Sequence, residues 1–175
     1  RFTDSGTAVS ANGLFEIRNG NQLWSVAALN YEAASSYAMG VQAFANGQAS
    51  GGAVSQTVTV GNLNEAPGTP ILSNASIAIN ENATNYDTGV RISGGLDPEG
   101  TAVTYLFGAT GTQTNGPFSI VNGNQLWVTG PINFESVSSY GFSIYSHDGA
   151  QWGSGYAYQA VTVNDVNEAP TNTAA

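Results

Sequence analysis

The sequence contains no cysteine and no lysine, and His147 is its only histidine. Without cysteine there is no disulfide and no thiolate, so rigidity has to come from packing or from a metal. One histidine and no cysteine leave no plausible zinc set, and no Gly-x-Ser-x-Gly elbow accompanies the histidine to suggest a nucleophilic triad. Arg1, Arg18 and Arg91 are the only strong cations, against twelve carboxylates and a net charge of −9. Nucleic acids and anionic membranes both require a basic patch, and none exists here. No apolar run approaches the roughly 18 residues of a membrane-spanning helix. No signal peptide opens the chain; residues 1–6 read as the middle of a domain, with any export signal expected upstream. Charged residues make up only 9% of the chain, well below the roughly 25% usual for soluble domains.

What the sequence does have is repetition. FEIRNGNQLW, beginning at Phe15, recurs as FSIVNGNQLW at Phe118, 103 residues on. The same step takes Tyr31-Glu32 to Phe134-Glu135, Tyr37 to Tyr140, and VGNLNEAP at Val60 to VNDVNEAP at Val163. Landmarks this dispersed at a single spacing define a tandem repeat. Within the second copy, Ser76–Glu81, Ala102–Leu106, Tyr140–Ser146 and Tyr156–Val163 alternate apolar with polar or small residues. They are rich in β-branched and aromatic side chains, and Asn-Gly and Gly-rich steps punctuate them. No long stretch has a helical period. About seven short strands in roughly 100 residues predict a Greek-key sandwich.

The boundaries follow from the spacing. Residues 1–66 hold the last five strand positions of a unit, with Phe2 aligned to Tyr105. Residues 67–170 form a complete unit, and 171–175 begin a linker or a further repeat. The counterparts of residues 67–101, carrying the first two strands, lie before residue 1. Losing them uncovers a core and an unpaired edge, so completion is expected from upstream sequence or from a neighbouring chain.

The order Phe-x-Ile, Gly-x-x-Leu, Tyr/Phe-Glu, an alternating Tyr strand, then Asn/Asp-x-Asn-Glu-Ala-Pro resembles cadherin repeats. The Asn-Glu-Ala-Pro ending is similar to those of large secreted bacterial surface adhesins and fibrous proteins. The resemblance spans nearly the whole chain. It implies an all-β fold of tandem cadherin/immunoglobulin-like sandwiches, seven strands per complete unit, with Ca²⁺ bound where domains meet. It also implies an extracellular, non-enzymatic role in cell adhesion, with neighbouring repeats or other copies of the protein as partners. Carried over by position, one ligand set comprises Glu32, beside Asn30, with Asn62, Asn64, Glu65, Asp97, Glu99 and Asp148. A second half-set comprises Glu81, Glu135, Asp165, Asn167 and Glu168. The combination of Asp97, Glu99, Asp148 and Asn64 is expected to be the best equipped. Asn30 and Asn62 stand where the family usually has Asp, and Ala45 replaces the counterpart of Asp148, so fewer ions than the family's full set are expected.

The residues themselves agree with that assignment. Calcium prefers six to eight oxygen ligands. Nine of the twelve carboxylates fall at these positions, leaving Asp4, Glu16 and Asp87 elsewhere. Carboxylates gathered without lysine repel unless a cation neutralises them.

Trp24 and Trp127 follow equivalent leucines, so alternation sends both outward if Leu23 and Leu126 face the core. Trp152, with Tyr156 and Tyr158 on the next strand, extends an aromatic surface that suits cell-surface glycans. Cover for a sandwich edge is the plainer role for the tryptophans.

Overall fold

The computed structural model describes residues 1–108 and 110–169; Pro170 and residues 171–175, expected to end the second repeat and begin a linker, lie outside the described residues. The described chain is built from strands, and none of its helices is long and apolar enough to cross a membrane. It divides into two compact units, Arg1–Asn64 and the residues from Glu65 onward.

The first unit consists of two hairpins. Strands β1 (Phe15–Arg18) and β2 (Gln22–Ser25) pair antiparallel with Arg18 opposite Gln22. Asn19 and Gly20 join them with φ of 50° and 77°. Two successive left-handed residues make a tight hairpin turn whose twist matches the strands, which is why Asn-Gly stands there. Strands β3 (Ser36–Ala45) and β4 (Gln48–Thr59) form the second hairpin, from Ser36 opposite Thr59 to Ala45 opposite Gln48. Phe2, Phe15 and Met39 are buried, with Leu14, Ile17, Tyr37, Val41 and Val58 packed against them.

The second unit is a two-sheet sandwich. Its strands are β5 (Pro70–Leu72), β6 (Ser76–Asn80), β7 (Tyr86–Gly94), β8 (Thr104–Phe107), β9 (Thr114–Asn115), β10 (Phe118–Val121), β11 (Gln125–Val128), β12 (Ser139–His147) and β13 (Trp152–Asn164). One sheet runs β5-β7-β11-β10-β9 and the other β6-β13-β12-β8. The expected seven strands are recovered when β5 and β6 count as one strand that changes sheets, and the two-residue β9 as part of the β8–β10 connection. The split comes at Ser73 and Asn74, where the Asn74 side chain accepts from the Ser76 N–H and turns the chain toward β13. β6 then runs parallel to β13, with Ser76 opposite Ala160. Phe107, Phe118, Leu126, Val128 and Ile144 are wholly buried between the sheets, and Phe142 meets Phe107 and Phe118 ring to ring.

The two units repeat each other down to their irregularities. Ser36–Thr59 and Phe44–Ala49 pair as Ser139–Thr162 and His147–Trp152 do, with one register shift at the same place. One expectation is corrected. Phe2 is bridged to Val41 and donates its N–H to the Thr7 carbonyl, as Phe107 is bonded to Ile144 and to the Thr112 carbonyl. Phe2 therefore corresponds to Phe107, not Tyr105. The first unit has two extra residues in the turn around Ser10, which the buried Ser10 hydroxyl closes by accepting from the Phe15 N–H. The single spacing of 103 holds only after that turn.

The region before β8 thus carries two strands, one divided between the sheets as β5 and β6, and β7. In the second unit β7 covers the edge of β11, and Leu126 is 0% exposed. In the first, β2 is exposed along its length and Leu23 is 39% exposed.

Candidate metal centre

In the second unit, four carboxylates converge. Glu81 directly follows β6, Asp165 and Glu168 follow β13, and Glu135 sits in the turn after β11. The parallel pairing of Asn80 with Asn164 brings the first two segments to one end of the sandwich. One carboxylate oxygen from each of Glu81, Glu135, Asp165 and Glu168 lies within 4.8 Å of all the others. Glu81 is the fixed member. Its side chain is buried; Oε1 accepts from the Val166 N–H at 2.6 Å and Oε2 from the Phe134 N–H at 2.8 Å. These two backbone donors, Val166 first, hold the Glu81 carboxyl below the usual carboxylate range against the opposing effect of burial. Glu168 is oriented by the Asn82 side-chain amide at 3.2 Å. Asn167 is exposed.

The turn that presents Glu135 is built by its neighbour. Asn133 Oδ1 accepts from the Ser136 N–H, and its carbonyl accepts from the Val137 N–H. In the first unit Asn30 does the same for Ala33 and Ala34, which places the exposed Glu32 in an equivalent turn. Asn30 thus shapes the loop, a role that a side-chain amide or carboxylate fills equally well. Asn62 and Asn64 are exposed at the end of the first unit.

At the opposite end of the second sandwich stand Glu65, Asp97, Glu99 and Asp148. Glu65 donates its N–H to Glu99 Oε1, and Asp97 Oδ1 accepts from the Thr101 N–H. Among the described residues, Asp97 Oδ2 and Glu99 Oε2 are buried without a hydrogen-bond partner. A carboxylate oxygen removed from water and left unpartnered is costly unless a cation takes the place of the missing donors. Asp148 Oδ1 accepts from the Ala150 and Gln151 N–H groups, folding the turn between β12 and β13. Asp97 and Asp148 do not join a close acid group among the described residues. Within the second unit, the close group of four carboxylates is the one around Glu81. Sequence reasoning placed the acids but missed the Phe134 and Val166 amides that lock Glu81, because backbone donors leave no trace in residue identity.

The arginines are spent elsewhere. Arg18 pairs with Glu16 at 2.9 Å and Arg91 with Asp87 at 2.7 Å, two of the three acids outside the expected ligand positions. Oxygen donors with no nitrogen or sulfur among them, gathered within a few ångströms, fit a hard divalent cation with flexible coordination, calcium before magnesium or zinc.

The aromatic residues fall on different faces. Trp127 lies on β11 in the five-stranded sheet, half-buried, its Nε1 donating to Gln125. Trp152, Tyr156 and Tyr158 lie on β13 in the other sheet. Outer faces of a sandwich point in opposite directions, so these four do not form one surface. Trp24 is 47% exposed in the first unit, under the Arg18 guanidinium at 4.9 Å.

No family model matches the chain, and no curated protein matches it. Solved structures do. The chain is similar to PcdhgB3 EC1-4 at a TM-score of 0.60 and 20% identity, covering 89% of this chain and 38% of that one. It is similar to human CDH23 EC21-23 at a TM-score of 0.55 and 17% identity, covering 87% and 55%. Protocadherin gammaB7 EC3-6, solved as a cis-dimer, matches at 0.55 and 18% identity, covering 89% and 40%. The chain thus spans about half or less of these structures. At such identities the likeness is one of fold: the chain has a cadherin-like β-sandwich fold.

Proposed function

We propose that this chain is a calcium-binding adhesive repeat from an extracellular bacterial surface protein or fibre, in which calcium at the sandwich ends stiffens the array. The observation that carries the reading is the convergence of Glu81, Glu135, Asp165 and Glu168, with Glu81 locked as a buried anion. The buried, unpartnered oxygens of Asp97 and Glu99 support a second site at the other end, to which Glu65 and Asp148 belong. Glu32, Asn62 and Asn64 are assigned the same role from their own unit, and Asn167 joins the Glu81 set. Bound calcium supplies positive charge that carboxylates alone cannot cancel; the protein supplies preset acids and the turns that hold them. The chain acts by binding rather than by catalysis. Its single histidine packs edge-on against Trp152 at 5.1 Å and accepts the Gly149 N–H, so it serves its own hairpin.

The test is thermal unfolding and calorimetric titration with calcium. For extracellular-type affinity of about 10⁻⁴–10⁻³ M, 10 mM calcium adds about 1.4–2.7 kcal/mol to a single site and raises Tm by several degrees. Glu81→Gln abolishes most of that gain at its end. Equal Tm, protease sensitivity and scattering with calcium and with chelator would falsify the reading.

A specific observation favours one further element. The exposed edges of β2 and β4 in the first unit accept a segment of the kind that residues 67–103 form in the second, supplied by other sequence of the same protein or by another copy. Leu23, open where Leu126 is sealed, supports this.

A further inference from the structure

The outward face of the β6-β13-β12-β8 sheet concentrates aromatic rings that the fold does not require. Trp152 is 42% exposed, Tyr156 54% and Tyr158 56%, all at alternate or neighbouring outward positions of β13. Tyr145 on β12 supports them. It packs edge-on to Trp152 at 5.7 Å and tilted against Tyr156 at 5.4 Å, which fixes the orientation of both exposed rings.

Two glycines make room for this arrangement. A Cβ on Gly141 would lie 2.0 Å from the Tyr158 hydroxyl, so that side chain lies across the strand instead of standing off it. A Cβ on Gly108 would lie 2.6 Å from the Tyr145 ring.

The first unit gives the internal control. Its hairpin has the same register and the same irregularity, yet at the positions of Tyr145, Trp152, Tyr156 and Tyr158 it carries Gln42, Ala49, Ala53 and Ser55. The counterparts of Gly108 and Gly141 are Thr3 and Ala38. Rings and the glycines beneath them are present together in one unit and absent together in the other. Strand pairing is served equally by both sets, so the aromatic set answers to something outside the strand ladder.

The electrostatics name the class of ligand. The chain carries a net charge of −9, but the outward positions of this sheet hold no Asp, Glu or Arg. Between the rings stand Ser143 and Ser154, together with the tyrosine hydroxyls. An uncharged, hydroxyl-bearing surface with exposed ring faces is complementary to pyranose rings, whose C–H faces stack on aromatics while their hydroxyls need hydrogen-bond partners. A polyanionic glycan finds no Arg or Lys here, only the His147 imidazole packed edge-on against Trp152, and a protein partner that relies on salt bridges finds no carboxylate.

We infer that Trp152, Tyr156 and Tyr158 form a binding site for a neutral polysaccharide. The site is separate from the acid groups and binds without calcium.

The probes are cellohexaose, xylan, mannan and chitohexaose, with polygalacturonate as the anionic control, read by tryptophan fluorescence and affinity electrophoresis in calcium and in chelator. At least one neutral glycan binds in both conditions. Trp152→Ala, Tyr156→Ala and Tyr158→Ser, which install the first unit's residues, each weaken binding tenfold or more while leaving urea unfolding of the second unit in place. Trp127→Ala, on the opposite sheet, leaves binding unchanged. Failure of all four neutral glycans to bind, or equal loss with Trp127→Ala, overturns the inference. So does self-association in sedimentation that Trp152→Ala abolishes in the absence of glycan binding, which would make this face a protein interface. Binding that survives while calcium leaves Tm unchanged would sink the calcium reading and leave this one standing.

Discussion

At the scale of single residues, Glu81 shows how an anion is made structural. Its two oxygens take backbone donors from segments on either side, the turn before Glu135 and the chain after β13. Those donors lower its folded-state pKa below the unfolded value. The unfolded state therefore takes up this proton first as pH falls. The contribution of Glu81 to stability is fully present above the ordinary carboxylate range and is lost as pH drops through its depressed folded value. Urea unfolding of calcium-free protein between neutral pH and pH 3 should show that loss, and Glu81→Gln should flatten the corresponding part of the profile. An unchanged profile in the variant would mean that the two amides do not distinguish the ionised form. The identity of Glu81 was legible from the repeat; its locking was not, since it depends on main-chain groups 53 and 85 residues away.

At the scale of the element, equal sequences are given unequal burial. Leu23 and Leu126 occupy the same place in the QLW strand, opposite Ile17 and Ile120. The difference is the neighbour: β11 is covered by β7, and β2 has only β1. Leu126→Ala should cost about 2–5 kcal/mol through lost transfer energy and a cavity, while Leu23→Ala should cost well under half as much. Denaturant unfolding of the two variants, read on the transition of each unit, checks the contrast; similar costs would mean that β2 is already covered. Strand identity was legible because alternation and Asn-Gly turns are local signals. The division of the first strand into β5 and β6 and the two-residue insertion around Ser10 were not. The first depends on a sheet crossing, and the second falls in a turn that keeps the flanking hydrogen bonds while changing the count.

At the scale of the whole molecule, the first unit is open where the second is closed. If a segment like β5–β7 fills that opening, fusing an additional copy of residues 67–103, extended through residue 105, ahead of Arg1 should protect the amides of β2 and β4 from hydrogen exchange and raise the unit's unfolding midpoint. No change in exchange at β2 and β4 would exclude these edges as acceptors. The repeat spacing made this opening foreseeable. The exposure of Val54 and Leu23 gives it a location.

The sequence by itself determined the repeat, the all-β class, the hairpin turns and the acids available to a cation, because each is written in local spacing and side-chain chemistry. Only the tertiary structure decided which acids meet. Glu81, Glu135 and the Asp165–Glu168 segment are far apart along the chain, and the parallel pairing of β6 with β13 brings the first and last of these to the end of the sandwich where the turn after β11 presents Glu135. The same is true of the tryptophans. Trp127 and Trp152 look alike in sequence, but the sheet that each strand joins sends one to each side of the sandwich.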